Sequence, residues 1–117
     1  MESVRIRRVQ NEIRHTAGWL LTQCFFDPSV IVTVVQVSVS RDLRQAKIFL
    51  SIHGVESEDQ LGTIWEEVQL TKRKLAKELR RRLRMKNMPQ LHFCRDYGLE
   101  QTQRLVAILK EENPGVV

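Results

Sequence analysis

The apolar residues of the first 24 positions recur at intervals of three and four, which is the spacing of one face of an amphipathic helix. They are Ile6, Val9, Ile13, Ala17, Leu20 and Cys24. Asp27 and Pro28 follow this stripe. Because the residue before a proline is biased away from helical geometry, we expect the first helix to end before them.

Alternating apolar and polar residues then predict an antiparallel hairpin. In the β-branched stretch 31–40, Val35, Val37 and Val39 alternate with polar residues, as in a half-buried strand. After a predicted turn at 41–44, a second run alternates in the same way. Its apolar members are Ala46, Ile48, Leu50 and Ile52. Two such runs joined by a short polar connection form a β-hairpin.

A second helical pattern begins at Ser57, which fits an N-cap with Gln60 as its capping-box partner. Its apolar stripe comprises Leu61, Ile64, Trp65, Val68, Leu75, Leu79 and Leu83. Lys72 is the one charge in the middle of this stripe, and burial of an ammonium group is costly. We therefore predict a bend or break at 70–73, or else a continuous helix in which Lys72 snorkels along its stem. Pro89 is expected to stop the helix.

The remaining pattern predicts a third short strand and a last helix. Leu91 and Phe93 alternate with polar residues, and Asp96 is a candidate cap for the helix. The last apolar stripe comprises Thr102, Leu105, Val106 and Leu109. The chain is thus predicted to be one α+β domain, 1–117, with a three-stranded sheet carrying helices on one face. Apart from the last helix, the α-β-β-α-α-β order is that of a type II KH domain.

Several function classes have no support in the sequence. No segment approaches the roughly 20 apolar residues of a membrane span, and no secretory signal begins the chain. The two cysteines, Cys24 and Cys94, lack metal-type spacing and are expected as buried thiols in a reducing cytoplasm. His15, His53 and His92 fall in different elements, and no Gly-rich phosphate loop, HExxH or GxSxG occurs. We therefore expect no catalysis, no cofactor, no metal and no small-molecule substrate.

Positive charge is concentrated in one segment. Of 19 Lys and Arg residues, nine lie between Lys72 and Lys86 with a single acid, Glu78, while the whole chain has a net charge of +5. Such a patch on a slightly acidic body indicates a polyanionic partner. Helical spacing predicts a ridge opposite the leucines, formed by Arg73, Lys77, Arg80 and Arg84 and flanked by Lys74 and Arg81. Cations of this kind bind phosphates with release of counterions, although many charged helix faces are only solvated.

Further cations could extend this footprint. They are Arg41, Arg44 and Lys47 at the hairpin and Arg5 and Arg8 on the first helix. KH domains usually grip nucleotides with a GXXG loop, but Thr71-Lys72-Arg73 occupies the predicted corner here. Phosphate and shape recognition is therefore favoured over a standard single-strand grip. Trp19 and Trp65 lie on or beside the apolar stripes and are expected in the core rather than against bases.

Three motifs resemble the bacterial ribosome-binding factor A family. The segment VSVSRDL at 37–43, followed by Ala46-Lys47, resembles the hairpin of that family. The segment 89–96 resembles its last-strand signature, P-x-L-x-F-x-x-D. The pairs RV at 8–9 and EI at 12–13, with DP at 27–28, resemble its first helix and the exit from it. The resemblance covers about Arg8 to Leu109.

The resemblance implies a KH-like fold and a non-catalytic, monomeric, cytoplasmic assembly factor. It implies binding to the free 30S small ribosomal subunit and its 16S rRNA. It also implies assistance in late rRNA maturation, including 5′-end processing by other enzymes, and a role in growth in the cold. The family has an Ala-x-Gly kink where Thr71-Lys72-Arg73 stands in this chain.

Three alternatives stay open at this point. The first is a general KH-type module for single-stranded RNA or DNA, which would bind naked oligonucleotides as well as ribosomal particles. The second is a small nuclease directed at rRNA, and the third is an interaction module whose basic helix meets an acidic protein.

Overall fold

A computed structural model describes residues 3–24 and 27–96. The elements are α1 (Val4–Thr22), β1 (Ile31–Val39), β2 (Gln45–His53), α2 (Glu58–Leu70), α3 (Lys72–Leu83) and β3 (Gln90–Arg95). This confirms the predicted α+β class and the α-β-β-α-α-β order of a KH-like fold. The predicted last helix lies outside the described residues.

Helix α1 begins at Ser3, whose hydroxyl accepts a hydrogen bond from the Ile6 amide at 3.1 Å. The predicted stripe is buried except at Cys24, which is half-buried. The helix ends at Thr22, before Asp27 as expected. The Asp27 carboxylate accepts bonds from the Ser29 amide and hydroxyl, which lower its pKa and turn the chain toward β1.

The sheet has the order β1-β2-β3, with β1 and β2 antiparallel and β2 and β3 parallel. The central strand β2 turns Ala46, Ile48 and Leu50 toward the helices, and all three are fully buried. These side chains meet the apolar stripes of α1, α2 and α3 in one continuous core. Parallel strands need a crossover connection, and α2 with α3 supplies it here.

A β-bulge at Val35 changes the predicted alternation of β1. Val34 pairs with Leu50 and Gln36 pairs with Phe49, so Val35 has no partner on β2. The bulge shifts the side-chain phase by one residue. Val37 and Val39 are buried as predicted, whereas Val32 and Val34, rather than Val35, pack against the core before the bulge.

The tight turn between β1 and β2 is organised by Asp42. Its carboxylate accepts hydrogen bonds from the Ser40 hydroxyl at 2.7 Å and the Arg44 amide at 3.0 Å. The two bonds hold the pKa of Asp42 below its ordinary value. Leu43 has a left-handed backbone, with φ of 60°, and its side chain packs against the core.

The predicted break in the long helix falls at Thr71. The buried Thr71 hydroxyl donates to the Val68 carbonyl at 2.7 Å, at the last turn of α2. Lys72 then begins α3 and is half-buried, with its ammonium 6.0 Å from the centroid of the Phe93 ring. The prediction of two helices is confirmed. The stem of Lys72 nevertheless lies along the core, and a cation–π contact compensates its charge.

The predicted extension of this helix to Pro89 is wrong. Helix α3 ends at Leu83, and Arg84 adopts a left-handed conformation with φ of 46°. The Gln90 amide must reach the Arg44 carbonyl, to which it donates at 2.8 Å. Six more helical residues would carry the chain about 9 Å farther along the helix axis, away from this pairing.

The burial of the aromatic and sulfur side chains differs in part from expectation. Trp65 is half-buried and packs against the core, as predicted. Trp19 is 49% exposed, so its predicted place in the core is wrong. Successive helical residues are about 100° apart, and the sheet and α3 cover the side of Leu20 on which Leu21 lies, whereas Trp19 on the other side turns toward solvent. Cys24 and Cys94 are unpaired thiols but are half-buried rather than buried.

Replacement of Gly54 by Ala is expected to destabilise the fold by about 2–4 kcal/mol. Gly54 has φ of +87°, and an added Cβ would lie 1.9 Å from the Ser29 carbonyl oxygen. The matched control is Gly62→Ala in α2, where nothing lies within 4 Å of the new Cβ. The control should stabilise by about 0.5–1 kcal/mol. Urea unfolding of both variants tests this, and equal midpoints would contradict it.

Candidate nucleic-acid interface

The outer face of α3 carries a dense group of cations, because the helix contains seven Lys and Arg residues and one acid. Leu75 and Leu79 are fully buried and fix the orientation of the helix. With these two leucines inside, Arg73, Lys77 and Arg80 turn outward, and all three are exposed. None of the three has an ion pair within the described part of the chain. The predicted ridge therefore exists over these positions.

Glu78 neutralises part of the flank of this ridge. Its carboxylate accepts hydrogen bonds from Arg81 at 3.0 and 3.3 Å and lies 4.0 Å from the Arg82 guanidinium. Arg81 is thus less available for phosphate than its neighbours, although its side chain remains largely exposed. Lys74 is exposed on the same shoulder of the helix. Arg84 is exposed but lies beyond the helix end, so it does not continue the ridge.

A groove of about 620 Å³ runs between α3 and β3. Lys72, Arg73 and Arg80 line it from the helix side, and Gln90 and His92 line it from the strand side. No carboxylate occurs among the described residues that line it. A groove with cations on one wall suits a polyanionic chain.

Polar and apolar groups are both present within this groove. Ala76, Met88 and Leu91 add apolar surface to its lining. The His92 side chain is paired in register with Lys47 on the sheet face opposite the helices, where its Nε2 atom lies 2.6 Å from Gln45 Oε1, so His92 borders the groove from the edge of β3. The groove therefore offers both charge for phosphates and apolar contact for sugars or bases.

The cations of the hairpin separate into different surfaces. Arg44 joins Arg5 and Lys86 around a second cleft of about 620 Å³, which shares Met88 and Gln90 with the groove. Arg44 also lies 4.0 Å from the Asp42 carboxylate. The two clefts are therefore neighbours at the C-terminal end of α3. Lys86 was not predicted as a contact residue, because the sequence shows it only as one member of the basic segment.

The other predicted hairpin cations lie apart from the ridge. Arg41 is exposed at the turn and does not line either cleft. Lys47 is exposed on β2 and is paired in register with His92. It lies between the buried Ala46 and Ile48, so its side chain is on the sheet face opposite the helices.

Helices α1 and α3 lie side by side and run in opposite directions. Arg5, near the start of α1, shares a cleft with Met85 and Lys86, just beyond the end of α3. Gln23 and Cys24, at the other end of α1, share a cleft with Thr71 and Lys74. Burial and Glu67 raise the pKa of the Cys24 thiol, against an opposing effect of Lys74. The outward faces of the two helices form one surface, which Arg8 joins from α1.

Within residues 3–24 and 27–96, no three metal-ligating side chains of His, Cys, Asp or Glu cluster. None of the described helices is both long enough and apolar enough to cross a membrane.

Comparisons with known proteins identify the family to which this chain is similar. The sequence model of a family described as Ribosome-binding factor A matches residues 5–109. A ribosome-binding factor A from Alkalilimnicola ehrlichii is 36% identical over 108 residues, which cover 92% of this chain and 82% of that protein.

Two structures of ribosome-binding factor A share the fold. The crystal structure of ribosome-binding factor A from Thermus thermophilus aligns with a TM-score of 0.59 at 20% identity, covering 77% of this chain and 93% of that one. A homology model of ribosome-binding factor A from Thermus thermophilus, fitted into the cryo-EM map of its complex with 30S, aligns with a TM-score of 0.56 at 22% identity, covering 82% of this chain and 96% of that one. With the family match over most of its length, this chain belongs to the ribosome-binding factor A family.

Proposed function

We propose that this chain binds the free 30S small ribosomal subunit through its 16S rRNA and assists late maturation of that rRNA. It would act as a cytoplasmic, monomeric assembly factor without catalysis, while other enzymes process the 5′ end. The observation that carries the proposal is the outer face of α3, where Arg73, Lys77 and Arg80 are exposed without acidic partners among the described residues. The relative fitted into a 30S map supports the choice of particle.

The geometry supports phosphate recognition as the main source of affinity. Guanidinium groups bind phosphate oxygens in a bidentate manner, and Arg73 and Arg80 border the groove beside β3. We assign Lys74, Lys77, Arg81 and Arg84 to supporting contacts around them. Arg44 would contact phosphates at the neighbouring cleft, with Arg41 and Lys47 at the periphery of the footprint.

The double substitution Arg80→Glu with Arg84→Glu is expected to weaken subunit binding more than about tenfold. Both side chains are exposed, so the fold should be retained. The charge-preserving pair Arg80→Lys with Arg84→Lys is the control and should keep most of the binding. Co-sedimentation with free small subunits on a sucrose gradient measures the effect. Unchanged binding by a folded glutamate variant would contradict the assignment.

The salt dependence of RNA binding should identify the phosphate contacts individually. The pair Arg73→Gln with Arg80→Gln should lower the slope of log K against log salt by about 1.4, if each arginine neutralises one phosphate of a single strand.

Arg14→Gln is the matched control for this measurement. Arg14 is an exposed cation of α1, nine residues from both Arg5 and Gln23. Nine residues are two and a half turns, so Arg14 faces away from the α3 side of α1. Its loss should leave the slope nearly unchanged, and an equal fall in both proteins would indicate only a general effect of net charge.

A further inference from the structure

Trp19 is a large aromatic side chain that the core does not use. It is 49% exposed, although α1 buries seven other side chains. Its backbone carbonyl accepts a hydrogen bond from the Thr22 hydroxyl at 2.6 Å, and the indole ring takes no part in this bond. The exposed part of the indole leaves an aromatic surface available to a ligand.

The position of Trp19 relates it to the basic surface. Gln23 lies one helical turn after Trp19, so the two share a face of α1. Gln23 lines a cleft of about 450 Å³ together with Thr71 and Lys74. Trp19 is therefore on the shoulder of α1 that faces the start of α3.

Leu70 gives this shoulder a second apolar group. It is 78% exposed and lines the same cleft as Gln23 and Lys74. It also lines the groove between α3 and β3. Leu70 thus borders both the cleft beside α1 and the groove between α3 and β3.

The charge around Trp19 favours a polyanion over an apolar partner. The surface that α1 and α3 share carries Arg5 and Arg8 from α1 and the exposed Lys74, Lys77, Arg80 and Arg81 from α3, against two acids, Glu12 and Glu78. The cleft itself contains Lys74 and one acid, Glu67, from α2. An exposed aromatic ring within a strongly basic two-helix surface is the usual arrangement for stacking an unpaired base while cations hold its phosphates.

We propose that Trp19 stacks on an unpaired RNA base next to the joint between α2 and α3, with Lys74 contacting the adjoining phosphate. This inference rests on the proposed RNA-binding function and adds to it the kind of RNA that is bound. The ligand is a single-stranded or flipped-out nucleotide beside the phosphates held by α3. A fully paired helix has no base available to Trp19.

The chain contains two tryptophans, so Trp19 is the only one left in the variant Trp65→Phe. The fluorescence of this variant therefore reports directly on Trp19. Addition of a single-stranded RNA of about twelve nucleotides should quench Trp19 emission to saturation. The same sequence as a duplex should quench it much less. The matched control is Trp19→Phe, in which the half-buried Trp65 is the only reporter and should respond little.

A second measurement does not depend on fluorescence or on the stability of the Trp65 variant. Electrophoretic mobility shift with the same single strand should show that Trp19→Ala weakens binding about five- to hundredfold. Trp19→Phe, which keeps an aromatic face, should lose less.

The outcomes separate this inference from the proposed function. RNA binding that needs Arg73 and Arg80 but leaves Trp19 unquenched would overturn the stacking role and leave the function standing. Absence of binding to both RNA and subunits would overturn the function itself. Quenching of Trp19 emission by intact subunits, but not by naked single-stranded RNA, would overturn base stacking in favour of a protein contact.

Discussion

Parallel strands cannot be joined by a tight turn, so the pairing of β3 with the central strand β2 requires a connection that crosses the sheet. Helices α2 and α3 form that connection, and their leucines cover the buried face of β2. The register of Gln45 with Gln90 sets where the crossover must end. It explains why α3 stops at Leu83 and why the following residues turn back toward the hairpin. The orientation of every cation on α3 follows from this packing.

The leucines that anchor α3 in the core also keep most of its cations on the opposite, exposed face of the helix. The exception is Lys72, whose stem is half-buried and whose ammonium lies over the Phe93 ring. Glu78 offsets repulsion on one flank through Arg81 and Arg82, although exposed pairs of this kind contribute little to stability. Repulsion among the remaining cations lowers the stability of the folded state by a modest amount. A bound polyanion would relieve this repulsion, and the relief would favour binding.

The hairpin turn and the C-terminal end of α3 show how local strain is placed at the edges of this surface. Leu43 and Arg84 both have left-handed backbones, which cost free energy for non-glycine residues. Leu43 directs the chain so that Arg44 reaches the second cleft. Arg84 ends α3 so that Met85 and Met88 return to the core. Each unfavourable residue is held by the packing that follows it, and together they bring Arg5, Arg44 and Lys86 to one place.

Local periodicity by itself determined most of the elements and the centre of the candidate site. The stripes of α1 and α3, the position of the joint and the outward orientation of Arg73, Lys77 and Arg80 follow from spacing of three and four around buried leucines. The motif VSVSRDL and the last-strand signature were enough to indicate the family. Tertiary structure alone decided the bulge at Val35, the early end of α3, the separation of Lys47 from the ridge and the exposure of Trp19. These features depend on which strand pairs with which and on how two helices share the sheet, and contacts between residues far apart in sequence leave no local periodic signal.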